Sequence, residues 1–146
     1  MNKIKVAIAS DHAGFQFKNK LGELLKERGY EIMDFGCDSE DSMDYPDTAH
    51  PLAEAVAAGK FKYGFTLCGS GNGITMTANK HQEIRAALCW NAEIAELARL
   101  HNDANVCGIP ARFISFEEVE KIASIFLSTD FEGGRHQNRV DKIAVK

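Results

Sequence analysis

Apolar and polar positions along the chain follow two alternating periods. Lys5 to Ala9 is a short β-rich run that ends in the polar segment SDHAG. Phe17, Leu21, Leu24, Leu25 and Arg28 then recur at helical spacing, and Gly29 is placed as the C-cap of that helix. Tyr30 to Phe35 predicts a second strand. Pro46 stands where the first residue of a helix would be, ahead of an alanine-rich stretch that Gly59 closes. Phe61 to Leu67 is a third apolar strand, followed by a glycine loop and a helix through about Asn79.

The second half repeats the rhythm. Arg85 to Cys89 predicts a fourth strand, and Ala92 to His101 a helix with Ile94, Leu97, Ala98 and His101 on one face. Asn105 to Ile109 predicts a fifth strand. Ser115 with Glu118 three residues later forms a capping box for a helix that turns Val119, Ile122, Ala123 and Phe126 inward. Strand and helix alternate about five times, which predicts a parallel sheet covered by helices on both faces. No repeat, low-complexity stretch or linker divides residues 1–146, so one domain is expected. Ligands of such sheets bind beyond the carboxyl ends of the strands, near the point where strand order reverses. The loops to search are therefore SDHAG, CGSGNG, and the segments near Asn91 and from Ile109 to Arg112.

Composition narrows the function classes. A net charge of −4 gives no electrostatic reason to expect nucleic acid or an anionic membrane as partner. No apolar run approaches the roughly 18 residues of a membrane span. The opening MNKIKVAIASDHAG turns polar too early for a secretory signal, so a cytoplasmic location is expected. Cys37, Cys68, Cys89 and Cys107 form no C-x-x-C pair, which argues against zinc spacing and disulfides. Cys89 and Cys107, in or beside strands, read as small buried apolar groups.

Cys68 is different, because Gly69-Ser70-Gly71-Asn72-Gly73 follows it. This loop lacks the lysine and spacing of a P-loop, and its third glycine comes one residue too early for a dinucleotide fingerprint. Glycines still allow backbone N–H groups to converge at a helix start, where an anion or a Cys68 thiolate would be favoured. A plain tight turn with a buried thiol is the competing reading. Ser10 or Asp11 can serve as an N-cap, whereas the adjacent His12 has no capping role. His101, at a helix C-terminus, is either a hydrogen-bonded core residue or an acid–base group. Asn102 and Asp103 follow it and could orient it or hold a hydroxyl. Arg112 follows the fifth strand, and Arg135 and Arg139 lie one helical turn apart, suited to a phosphate or simply solvated. His50 and His81 have no comparable context and read as surface residues.

The motifs SDHAG (10–14), DYPD (44–47), CGSGNG (68–73), ANK (78–80), HNDAN (101–105) and GGRHQNRV (133–140) occur in this order across nearly the whole chain. The pattern resembles ribose-5-phosphate isomerase type B, in the group that includes galactose-6-phosphate isomerase subunits. The resemblance implies a Rossmann-like α/β/α sandwich with a five-stranded parallel sheet and a C-terminal helical tail. It also implies a homodimer or dimer of dimers whose sites lie at the interface, and an aldose–ketose isomerase without metal or organic cofactor. By motif, Cys68 would move the proton between C1 and C2. Gly69, Ser70, Gly71, Asn72 and Gly73 would hold the enediolate oxygen, and His101 would open the sugar ring with Asp11, Tyr45 or Ser70. Asn102 would hold a hydroxyl, while His12, Arg112 and the neighbouring copy's Arg135 and Arg139 would bind phosphate.

Some members of the group lack the cysteine and carry a glutamate immediately after the glycine loop. Here that position is Ile74, so Cys68 is the base that the resemblance implies. Two rivals stand beside this reading. One is the same chemistry on a hexose 6-phosphate such as allose or galactose 6-phosphate. The other is a non-catalytic flavodoxin-like module that binds a phosphometabolite, which leaves Cys68, His101 and Tyr45 unexplained.

Overall fold

A computed structural model describes residues 2–145. The chain runs β1 (Lys5–Ser10), α1 (Phe15–Glu27), β2 (Glu31–Asp34), α2 (Pro46–Ala57), β3 (Tyr63–Cys68) and α3 (Asn72–Ala78). It continues through β4 (Ala86–Leu88), α4 (Ala92–Asn102), β5 (Val106–Pro110), α5 (Phe116–Ser128) and α6 (His136–Asp141). The strands form one sheet in the order β2-β1-β3-β5-β4, with every pairing parallel. The expected α/β sandwich is the fold observed, and strand boundaries shift by one or two residues.

Period-two alternation builds the two faces. Val6 and Ile8 of β1 join Tyr63, Phe65 and Leu67 of β3 and Cys107 and Ile109 of β5 in one buried cluster. α1, α4 and α5 cover it with Leu21, Leu25, Ala95, Ala98, Val119, Ile122 and Phe126. The intervening Ala7 and Ala9 face the other way, onto Leu52, Ala53 and Val56 of α2 and Ala78 of α3. Small residues on that face let α2 lie close to the sheet. Gly64 continues the pattern, since a Cβ there would stand 2.8 Å from Leu52 Cδ2.

Strand order reverses between β1 and β3, which separate the β1–β2 half from the β3–β5–β4 half. The loops after Ser10 and Cys68 therefore share the crevice in which open parallel sheets bind ligands. The Asp11 N–H donates to Leu67 O at 3.2 Å, which ties the first loop to the end of β3.

Polar side chains fix the edges. Asn79 lies alongside edge strand β4, accepting from Ala86 N at 2.8 Å and donating to Ala86 O at 2.9 Å, as a sixth strand would. Lys18 of α1 is fully buried and donates to Asp34 Oδ2 at 2.6 Å and Cys37 O at 2.9 Å. Asp34→Ala would leave this buried ammonium with only a carbonyl partner. The expected cost is about 2 kcal/mol, below that of a fully dry pair because the Asp34 carboxylate is half exposed. Urea unfolding measures it, and an unchanged midpoint would contradict the role.

The capping box forms by half. Ser115 Oγ accepts from Glu118 N at 3.2 Å, but the Glu118 carboxylate turns away and accepts from Ala92 N, at the start of α4, at 3.1 Å. Arg99, an ordinary helix residue by sequence, is only 5% exposed. Its guanidinium donates to Asp103 Oδ1, Ala104 O and Thr129 O, with its carbon 5.1 Å from the Tyr63 ring centre and 5.8 Å from that of Phe126. Asp103, at left-handed φ 48°, pairs with Arg99 and Arg85. It is committed there and does not orient His101.

Candidate active site

The carboxyl ends of β1, β3 and β5 gather the first group of side chains. Asp11 is the N-cap of a single helical turn, its Oδ1 accepting from Ala13 N at 2.9 Å and Gly14 N at 3.2 Å. Gly14 is required here, since a Cβ would stand 2.5 Å from Leu67 O. His12 accepts from Met43 N through Nδ1 at 3.2 Å, which assigns the ring proton to Nε2. That N–H is a donor for an anionic ligand. His12 and Arg112 line one depression of about 390 Å³, and Asp11, His12 and Tyr45 line its neighbour of about 550 Å³.

β3 delivers Cys68, 5% exposed, packed in a small buried cluster with Ala49 and Ile74. The glycine loop then lies between neighbours that exclude larger residues. Gly71 adopts left-handed φ 78° with a Cβ position 2.5 Å from Leu88 Cδ1. A Cβ on Gly73 would overlap the Tyr45 ring, so this contact holds the phenol against the loop. Arg112 lies over Gly69, with its backbone N–H donating to Gly69 O at 3.0 Å. Ser70 Oγ accepts from Asn72 N at 3.2 Å, fixing the hydroxyl within the loop. Asp11, His12, Tyr45, Cys68, Gly69, Ser70, Gly71, Asn72, Gly73 and Arg112 are thus brought to one end of the sheet.

His101, Asn102, Arg135 and Arg139 are not. α4 starts beyond the carboxyl end of β4 and runs back about 16 Å over its 11 residues, so it finishes at the amino ends of the strands. Asn102 lies just before Val106, the first residue of β5, whereas Cys68 pairs with Pro110, the last. Arg135 caps α6 and Arg139 lies within it, both exposed. The tail that carries them is tied to α4 by a hydrogen bond from Glu132 N to Leu100 O at 3.0 Å. Asn102 also lines a separate cavity of about 310 Å³ formed with Arg85 and residues 143–145. The expected site residues of one chain therefore fall into two groups, at opposite ends of its sheet.

Two histidine contacts were not legible in the sequence. The His101 ring stacks on His136 with centroids 4.2 Å apart and planes 13° from parallel. Burial, then the charges of His101 and Arg135, push the His136 pKa below its ordinary value, and Glu132 opposes the shift. His50 and His81, read as unrelated surface residues, meet with Nδ1 and Nε2 at 2.8 Å. Cys89 and Cys107 are fully buried as expected, and burial followed by the contact with Cys89 raises the Cys107 thiol pKa well above its usual value. All four cysteines are free.

The sequence profile of the ribose/galactose isomerase family matches residues 6–143. The chain belongs to this family. All six ordered motifs fall inside the matched span, and as a family member the chain is an isomerase. It is 42% identical over 139 residues to ribose-5-phosphate isomerase B of Escherichia coli (strain K12), covering 95% of this chain and 93% of the relative. The crystal structure of a ribose 5-phosphate isomerase from Thermotoga maritima superposes with a TM-score of 0.95 at 44% identity, covering 98% of this chain and 99% of that one. Ribose-5-phosphate isomerase B of Mycoplasma genitalium, solved with bound ribulose 5-phosphate, gives a TM-score of 0.93 at 39% identity, covering 98% and 95%. Among the described residues of this isomerase no helix is long and apolar enough to cross a membrane.

Proposed function

We propose that the chain interconverts D-ribose 5-phosphate and D-ribulose 5-phosphate in the cytoplasm, as a homodimer or dimer of dimers whose sites each combine two copies. The chemistry rests on one observation: Cys68 stands at the head of the glycine loop, with Ile74 packed beside it where a carboxylate base could otherwise stand. The Cys68 thiolate removes the proton from C2 of the open aldose. The C–H electron pair forms the C1=C2 bond, and the carbonyl oxygen becomes an enediolate oxyanion. Loop N–H groups and the Ser70 hydroxyl donate to that oxygen. The same thiol returns its proton to C1, while the C2 hydroxyl proton moves to O1, leaving the ketose.

The division of the remaining residues between two ends of the sheet supports a shared site. His12 and Arg112 hold phosphate from one copy, and the partner's Arg135 and the partner's Arg139 complete its charge neutralisation. The partner's His101 acts as the acid–base group for ring opening, and the partner's Asn102 holds a hydroxyl. Asp11 has Oδ1 committed to its turn, which leaves Oδ2 for the sugar. Sugar length is the point of competition with a hexose 6-phosphate. Measured with chelator present, kcat/KM for ribose 5-phosphate is expected to exceed that for allose 6-phosphate by roughly tenfold or more. A preference for the hexose would overturn the substrate, and no turnover of either would overturn the reaction.

A further inference from the structure

At the end of the sheet away from Cys68, three potential metal ligands converge. His101, Glu132 and His136 each offer one ligand atom, all within 4.8 Å of one another. His136 is only 6% exposed, and its Nε2 is buried without a hydrogen-bond partner. The facing Glu132 Oε1 is 3.7 Å away, too far for a hydrogen bond. A buried polar atom left unpaired costs about 1–3 kcal/mol, and native structures seldom tolerate one without a use.

We propose that His101, Glu132 and His136 bind one divalent transition-metal ion of the zinc class, and that the ion inhibits the isomerase by occupying His101. Two imidazole nitrogens and one carboxylate oxygen suit zinc, cobalt and nickel, whereas magnesium and calcium take oxygen ligands. Bonds of about 2.0–2.2 Å require the three donors to close in from their present spacing. Glu132 can supply that movement: it is exposed and precedes Gly133 and Gly134, with φ of 72° and 56°. Arg135 and Arg139 flank the site and weaken cation binding, so the ion is a reversible ligand and not a structural one. The inhibitory half of the proposal rests on the role given to His101 above; the binding half does not.

The test uses the full-length protein freed of metal by dialysis against chelator. Co²⁺ binding is followed by its visible absorption and Zn²⁺ binding by calorimetry, with isomerase activity read in parallel. One saturable, reversibly bound ion per chain is expected. Glu132→Gln, a change at an exposed side chain, should weaken binding and raise the Zn²⁺ inhibition constant by about tenfold or more. Its metal-free kcat/KM should stay within about twofold of the original. His136→Gln should weaken binding as much, and His50→Gln should leave it unchanged, which separates this site from the His50–His81 pair. Affinity unchanged in both Glu132→Gln and His136→Gln would overturn the site, as would loss of binding in His50→Gln alone. Binding that is lost in the two variants but never inhibits would overturn the inhibitory half and count against the catalytic role of His101.

Discussion

Cys68→Ala is expected to lower kcat for ribose 5-phosphate by about 10³-fold, within the range typical of a removed general base. Alanine fits the cavity left by the sulfur, and its neighbours Ala49 and Ile74 are apolar, so no buried polar group loses a partner. The fold should persist, with a similar urea midpoint. KM should change little, because the phosphate contacts assigned to His12 and Arg112 lie outside Cys68. The large fall belongs to kcat because the thiolate acts on the carbon acid only as the reaction proceeds. Ile74 cannot take over, since it carries no ionisable group. Cys68→Ser should be nearly as slow, a hydroxyl being a far weaker acid than a thiol and scarcely ionised near neutrality. Turnover of Cys68→Ala within tenfold of the original would remove the residue from the proton transfer.

Restored activity on mixing two impaired variants is the second large effect. Arg139→Ala alone should weaken substrate binding by roughly 10- to 100-fold, through loss of charge-assisted hydrogen bonds to phosphate. If Cys68 and Arg139 serve the same site from different copies, a mixed dimer carries both defects in one site and none in the other. Free exchange at equal concentrations makes half the dimers mixed, and half of their sites are intact. Activity at low substrate should then reach about one quarter of the unmodified enzyme, far above either variant alone. If each site drew on one chain only, every site would carry a defect and mixing would restore nothing. The separation of His101, Asn102, Arg135 and Arg139 from Cys68 by the full height of the sheet supports the first outcome.

The sheet and its two faces were legible because they rest on local periodicity. Val6 and Ile8 against Ala7 and Ala9, or Val119, Ile122, Ala123 and Phe126 along α5, state their facing in the order of residues. Asp11 as a cap and Gly29 and Gly59 as helix ends were equally local, and both glycines have the positive φ that such ends require. What escaped depends on partners distant in sequence. Arg99 is buried only because Tyr63, Phe126 and the Thr129 carbonyl surround it. His136 meets His101 only because the tail folds back on α4. The resemblance assigned Arg135 and Arg139 to the neighbouring copy, but it did not separate His101 and Asn102 from Cys68. Helix length and strand direction already imply that His101 ends opposite Cys68.

The Glu118 carboxylate gives the packing of α4 on α5 a cooperative character. It satisfies the first N–H of α4 while Glu118 N is held by Ser115, so one residue completes the starts of two helices. α4 lacks its full N-terminal cap until α5 has docked. Neither helix can fray from its first turn without exposing polar groups of the other. The pair is thus expected to open as a single unit of local unfolding, carrying His101 at the far end of α4 with it.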